Sequence, residues 1–169
     1  MRSALRHSFA ELAVALCSAV CGCSAPGGEG GQKADTAPVV RVVDGDTIRV
    51  GLPSGEEPVR YIGIDTPESV KPGAPVECFA KRASAYNERL VAGERVRLVY
   101  DVERRDRYGR LLAYVYRARD GLFVNAELVR RGYAQPLTVP PNVRHADRFR
   151  DLAARARREG AGLWASCSS

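Results

Sequence analysis

Short β-branched runs occupy residues 39–44 and 47–50, and the Asp44-Gly45 dipeptide between them is a strong sign of a tight hairpin turn. Three further runs, residues 59–64, 95–100 and 110–116, alternate or are apolar enough to line a small barrel. Between and after these runs the apolar positions change to helical spacing. Phe79, Ala83, Tyr86 and Leu90 make one stripe, Val124, Leu128 and Val129 a second, and Phe149, Leu152, Ala153 and Ala156 a third. Gly93, Gly132 and Gly160 stand just beyond them, where left-handed C-terminal caps belong. Asn142, after Pro140-Pro141, is placed to cap the start of the last helix. The predicted order is β-β-β-α-β-β-α-α, and no internal repeat is visible.

Five short strands with a helix between the third and fourth is the order of an oligonucleotide-binding barrel. The expected class is therefore α+β, mainly β: a five-stranded OB-fold barrel with three helices. At 169 residues and 45% hydrophobic content the chain can bury one core of ordinary size, but it is short for two domains.

The first stretch follows a different pattern. Arg2 and Arg6 precede an apolar run over residues 9–20 that ends in Cys21-Gly22-Cys23-Ser24, the form of an export signal. The run is shorter than the roughly 20 apolar residues a spanning helix needs, and it carries Glu11. Val20-Cys21-Gly22-Cys23 is also similar to a bacterial lipoprotein cleavage box, so lipidation at Cys23 and plain secretion stand as equal alternatives. Residues 25–37 are Gly-rich and polar, without periodicity, as in a tether. The expected partition is a signal segment at 1–23, a flexible linker at 24–37 and a folded domain at 38–167. That places the domain outside the cytoplasm: secreted, periplasmic or lipid-anchored, touching the membrane only through such an anchor. A monomer is the default.

Cys17, Cys21 and Cys23 fall in the signal, which leaves Cys78 and Cys167. In an oxidising compartment two cysteines suggest a disulfide. Zinc is the weaker reading, because no CxxC pair exists and the only histidines are His7 and His145. The formal charge is +6, of which the signal holds +1 through Arg2, Arg6 and Glu11. The remaining +5 suits an anionic partner. Only Lys33, Lys71 and Lys81 of the 26 basic residues are lysine.

Asp46, Asp65 and Glu68 stand at or just beyond strand ends, and an oxygen-only donor set suits a hard cation, calcium or magnesium. Strict alternation would put Arg60 and Asp65 on opposite faces, so they share a site only if the strand bends or ends near Asp65. Thr66-Pro67 offers such a bend. Arg60 within a strand and Arg110 at the start of another call for anionic partners, and their planar forks can grip two phosphate oxygens at once. Singly, each carboxylate reads as well as a turn former or a solvated loop charge, and each arginine as half of an internal ion pair.

Taken together these segments resemble a known family. Val43-Asp44-Gly45-Asp46-Thr47, Arg60-Tyr-Ile-Gly-Ile-Asp65-Thr66-Pro-Glu68 and Asp106-Arg107-Tyr108-Gly-Arg110 resemble, in order and spacing, the three active-site segments of the staphylococcal nuclease (thermonuclease) family. The likeness continues through Phe123 to Gly132, Pro140-Pro-Asn142 and Gly162-Leu-Trp164, covering about residues 38–167. The resemblance implies a calcium ion held by Asp46, Asp65 and the Thr66 carbonyl. It implies Glu68 as general base on a water, with Arg60 and Arg110 on the scissile phosphate. Tyr108 and Arg107 match positions that contact substrate. The implied reaction is endonucleolytic hydrolysis of DNA or RNA, single strands preferred, leaving 3′-phosphate ends. A non-catalytic OB-fold module that binds nucleic acid is the rival from another class. One departure is visible: the family has a tyrosine-containing stretch before its Pro-Asn turn, whereas Gln135-Pro-Leu-Thr-Val139 contains no aromatic residue.

Overall fold

The computed structural model describes residues 34–68 and 76–167. The expected signal segment with Cys23, the expected tether up to residue 33 and the 69–75 segment with Lys71 lie outside the described residues.

Five strands close a barrel in the order β1-β2-β3-β6-β5. β1 (Ala34–Val42), β2 (Thr47–Leu52) and β3 (Gly55–Tyr61) form an antiparallel meander, and β5 (Arg95–Val99) and β6 (Leu111–Arg117) a hairpin. β3 runs parallel to β6, and Val59 faces Leu111. The barrel closes because β1 serves two neighbours. Its first half, Ala34 to Pro38, pairs with β5, and its second half, from Val39, pairs with β2 with a register shift between Val39 and Arg41. A bulge of this kind bends a strand and strengthens its twist, which lets one strand belong to both sides of a closed sheet.

Residues 34–37 were expected in the linker and are instead the start of β1. Their composition carries no β-branched run, so no periodic signal marks them. They are held by the backbone ladder to β5 and by Asp35, whose carboxylate accepts a hydrogen bond from the Tyr100 hydroxyl at 2.6 Å. Burial, followed by that bond to a carboxylate, pushes the Tyr100 hydroxyl up to about 12.

The inward residues Ile48, Val50, Val59, Tyr61, Val96, Leu98, Ala113 and Val115 fill the barrel. The helices α1 (Ala80–Val91), α2 (Val124–Arg130) and α3 (Ala146–Arg158) cover it, as the three apolar stripes require, with Gly93, Gly132 and Gly160 at positive φ beyond their ends. A single further turn, α4 (Leu163–Ser166), follows. Leu163 is its buried residue, whereas Trp164 is half-buried with the Arg157 guanidinium 4.2 Å above its ring. Asn142 does not cap α3. His145 stands at that position, and the buried Asn142 amide bonds the backbone N–H and C=O of Glu103. The Cys78–Cys167 disulfide ties the segment before α1 to the end of α4 across 89 residues. In the chain-entropy model closure of so long a loop stabilises the fold by about 4 kcal/mol.

Two two-residue strands have no sequence signature of their own. β4 (Ile64–Asp65) leaves the barrel and pairs with β7 (Gln135–Pro136), and Leu137 N–H donates to the Gly63 carbonyl at 3.0 Å. This small ribbon carries Asp65 along one edge and Leu137 along the other.

A carboxylate and arginine cavity at the barrel rim

The turn from β1 to β2 covers residues 43–46, wider than a two-residue hairpin, with the Val43 and Asp44 N–H groups both directed at the Thr47 carbonyl. Gly45 has no left-handed φ in this turn. A Cβ there would lie 2.6 to 2.8 Å from the side chain of Thr66, so glycine is required by close approach. The turn delivers Asp46 into the interior, where only 1% of it is exposed. A buried carboxylate must be satisfied or neutralised. One Asp46 oxygen accepts from Thr66 N–H at 2.8 Å and Thr66 Oγ1 at 3.0 Å, and the other from Thr47 Oγ1 at 3.2 Å. The Arg60 guanidinium completes the set by ion pairing with Asp46.

Arg60 also bonds Asp65, at 2.6 Å, although alternation along one strand would separate them. The bend that brings them together is not at Thr66-Pro67, as the sequence suggested, but earlier, at Ile62-Gly63. Gly63 sits at φ 79°, and a Cβ on it would be 2.5 Å from the Phe149 ring. β3 therefore ends at Tyr61, and Asp65 belongs to the ribbon with β7.

Two buried asparagines hold these turns. Asn125 accepts from Val115 N–H at 2.9 Å and donates to the Ile62 carbonyl at 2.9 Å, fixing the bend. Asn87 accepts from the Tyr61 hydroxyl at 3.0 Å and donates to the Asp44 carbonyl at 2.9 Å, fixing the β1–β2 turn. Both have no exposed surface. Sequence reasoning missed them, yet a signal exists: each falls on the apolar stripe of its helix, Asn87 four residues after Ala83 and Asn125 three before Leu128.

Arg110 reaches the same place from the loop before β6. Asp106 organises that loop, accepting from Tyr108 N–H at 2.9 Å, Arg110 N–H at 3.0 Å and Arg110 Nε at 2.7 Å. Asp106 thus holds Nε, and Arg110 lines the hollow in front of the loop. Asp106 was named only as part of a motif, and its orienting role was not foreseen.

Asp46, Asp65, Thr66, Glu68, Arg60 and Arg110 line one polar cavity of about 190 Å³, with Asp44 and Pro67. The Asp44 carboxyl is raised above the usual range, chiefly by burial; its bond to Thr47 and the Arg60 charge oppose this, and the Glu68 charge adds to it. Among the described residues no three His, Cys, Asp or Glu side chains converge as a ready cation cage. The guanidinium of Arg60 instead lies against both Asp46 and Asp65.

Arg60 and Arg110 also form the near wall of an adjoining cleft of about 560 Å³. Arg107 and Tyr108 line this cleft and not the carboxylate cavity. Arg107 donates to the Tyr108 hydroxyl at 2.6 Å, and Tyr108 is 66% exposed. Leu137 and Val139, both exposed, form an apolar flank on the same cleft. Cys78 and Cys167 lie outside both hollows.

The model of the staphylococcal nuclease homologue family matches residues 58–166, which include Arg60, Asp65, Thr66, Glu68 and Arg110 but not Asp46. A thermonuclease of Staphylococcus hyicus is 37% identical over 131 residues, 78% of this chain and 76% of that protein. A thermonuclease of Staphylococcus intermedius is 45% identical over 121 residues, 72% of this chain and 68% of that protein. The endonuclease YncB of Bacillus subtilis (strain 168) is 40% identical over 126 residues, 73% of this chain and 59% of that protein.

The contact between Gly45 and Thr66 is open to test. Gly45→Ala should destabilise the domain by about 1 to 3 kcal/mol through overpacking. Equal denaturation midpoints for wild type and Gly45→Ala would contradict this account of the turn.

Proposed function

Because the chain belongs to the staphylococcal nuclease homologue family, we propose that this nuclease is a calcium-dependent endonuclease hydrolysing phosphodiester bonds of DNA and RNA outside the cytoplasm. The observation that carries this reading is the gathering of Asp46, Asp65, Glu68, Arg60 and Arg110 around one cavity. A barrel that only bound nucleic acid would have no use for that set. This weighs against the rival reading as a non-catalytic OB-fold module.

The donor chemistry fits calcium. Only oxygen ligands are at hand, and the two carboxylates that would hold the ion, Asp46 and Asp65, already accommodate a positive group, the Arg60 guanidinium. The Thr66 carbonyl would complete the protein's share of the ligands. When bound, calcium would supply fixed positive charge beside the scissile phosphate.

The chain's own residues would do the rest. Glu68, on the cavity wall, takes the proton of the attacking water. Arg110, its Nε held by Asp106, would present its terminal nitrogens to the non-bridging oxygens, and Arg60, released from Asp46 and Asp65, would do so from β3. In-line attack on phosphorus expels the 5′-oxygen and leaves a 3′-phosphate end. Arg107 and Tyr108 contact a neighbouring phosphate along the cleft. A single strand suits this arrangement, because its backbone can bend into a cavity at the barrel rim. The apolar flank of Leu137 and Val139 gives a base something to lie against but no ring to stack on. The export pattern at residues 1–23 and the Cys78–Cys167 disulfide both favour an oxidising compartment.

The purified domain should degrade denatured DNA and RNA with calcium and stop when a chelator is added. Full-length substrate persisting in calcium would overturn the proposal. Glu68→Gln and Arg110→Ala should each slow cleavage by about 100-fold or more with the fold retained, and near-normal rates would refute the roles given them. Leu137→Tyr should lower KM for single strands, because a stacked base contributes about 1–3 kcal/mol. An unchanged KM would show that the cleft flank does not receive a base.

A further inference from the structure

Four side chains from β5, β6, the start of α2 and α3 contact one another in series. The Arg97 guanidinium lies 4.5 Å from the Tyr116 ring centroid, and Tyr116 stacks on Phe123 at 4.5 Å and 14°. The Arg148 guanidinium lies 5.2 Å from the Phe123 ring. The two arginines are exposed, and neither forms an ion pair with a carboxylate among the described residues. Nearby, Arg144 stands over Asp101, bonded at 3.0 Å.

The His145 ring packs edge-on against Tyr114 at 4.5 Å and Phe123 at 5.1 Å, and burial followed by the charges of Arg148 and Arg144 lowers its pKa. The positive charges above it disfavour a further charge on the histidine. The Tyr116 hydroxyl is raised by burial, while Arg97, Arg148 and Arg144 all oppose that rise. The fields of three arginines therefore converge on one aromatic surface.

The chain itself ties this cluster to the cleft. Asn142 lines the cleft wall, Arg144 is two residues further along the chain, and two residues of extended backbone span about 7 Å at most. Guanidinium groups stacked on rings are pre-ordered, so they lose little side-chain freedom on meeting a phosphate. A positive surface on which Arg97 and Arg148 form no ion pair among the described residues, close along the chain to the wall of a substrate cleft, fits a polyanion leaving that cleft.

We propose that Arg97 and Arg148, with Arg144, form a secondary binding surface for the phosphodiester backbone of a single strand whose scissile phosphate occupies the cavity at Arg60 and Arg110. The proposal rests on the nuclease reading. It adds that strands long enough to reach past Asn142 bind more tightly than fragments confined to the cleft. An anionic membrane is the competing occupant, and the same variant distinguishes it.

The test compares wild type with Arg97→Ala/Arg148→Ala on a trinucleotide and on a 30-nucleotide single strand, by turnover in calcium and by fluorescence anisotropy in chelator. The expected result is unchanged turnover of the trinucleotide and a KM and Kd for the long strand raised at least fivefold. The slope of log K against log salt for the long strand should fall by about 1 to 1.4, at about 0.7 per phosphate contact. Arg97→Lys/Arg148→Lys should restore much of the slope, which a merely structural role would not require. Equal long-strand affinity and slope would overturn the proposal, as would equal losses on both substrates. Loss of binding to phosphatidylserine vesicles with long-strand affinity intact would also overturn it, assigning the surface to a membrane. If wild type neither binds nor cuts either substrate, the nuclease reading itself fails, and this inference with it.

Discussion

A carboxylate with 1% of its surface exposed cannot remain charged in the rim of a barrel unless several donors meet it, and Asp46 sets that requirement here. Thr66 meets it with its N–H and hydroxyl, Thr47 with a hydroxyl and Arg60 with a guanidinium. Each of these partners is drawn from a different point of the chain, so satisfying one charge assembles the site. The approach of Thr66 excludes a side chain at residue 45, and the approach of Arg60 carries it within reach of Asp65. Removing one partner from a buried ion pair typically costs about 3–5 kcal/mol, so the arrangement is fixed by more than the preferences of its loops.

The barrel supplies the frame on which this is possible. Its strands deliver Arg60 and the residues around Arg110 to one rim, because β3 and β6 are parallel neighbours with Arg60 opposite Leu112. Polar contacts then aim what the frame delivers. Asn87 and Asn125 hold the two turns from inside the helical layer, and Asp106 orients Arg110 from its own loop. The resulting surface divides in two: a small polar cavity that holds charge, and a wider cleft with an apolar flank at Leu137 and Val139.

Much of this was legible in the sequence, for definite reasons. The β-branched runs and three apolar stripes marked strands and helices because a closed barrel buries one face of each element, and the three glycines beyond the helices are where left-handed backbone is needed. The site segments were legible as a set through their order and spacing. Less visible was anything held by backbone pairing alone: residues 34–37, which close the barrel, and the two-residue strands of the β4–β7 ribbon. The bend was misplaced to Thr66-Pro67 because proline is a local signal. The requirement at Gly63 comes from Phe149, which is 86 residues away in the chain and whose contact no local pattern encodes. Asn142 was taken for a helix cap on position alone, whereas its amide is committed to Glu103.

The charge balance at the rim gives the reading its chemical meaning, since two carboxylates that hold a guanidinium between them are also suited to hold a hard cation. Titration calorimetry with calcium, comparing the folded domain with Asp46→Asn, addresses this directly. The account predicts one bound ion in the wild type and an affinity at least about tenfold weaker, equal to about 1.4 kcal/mol, in a variant that keeps its circular dichroism. Equal affinity in the two proteins, or no calcium binding by the wild type, would contradict it.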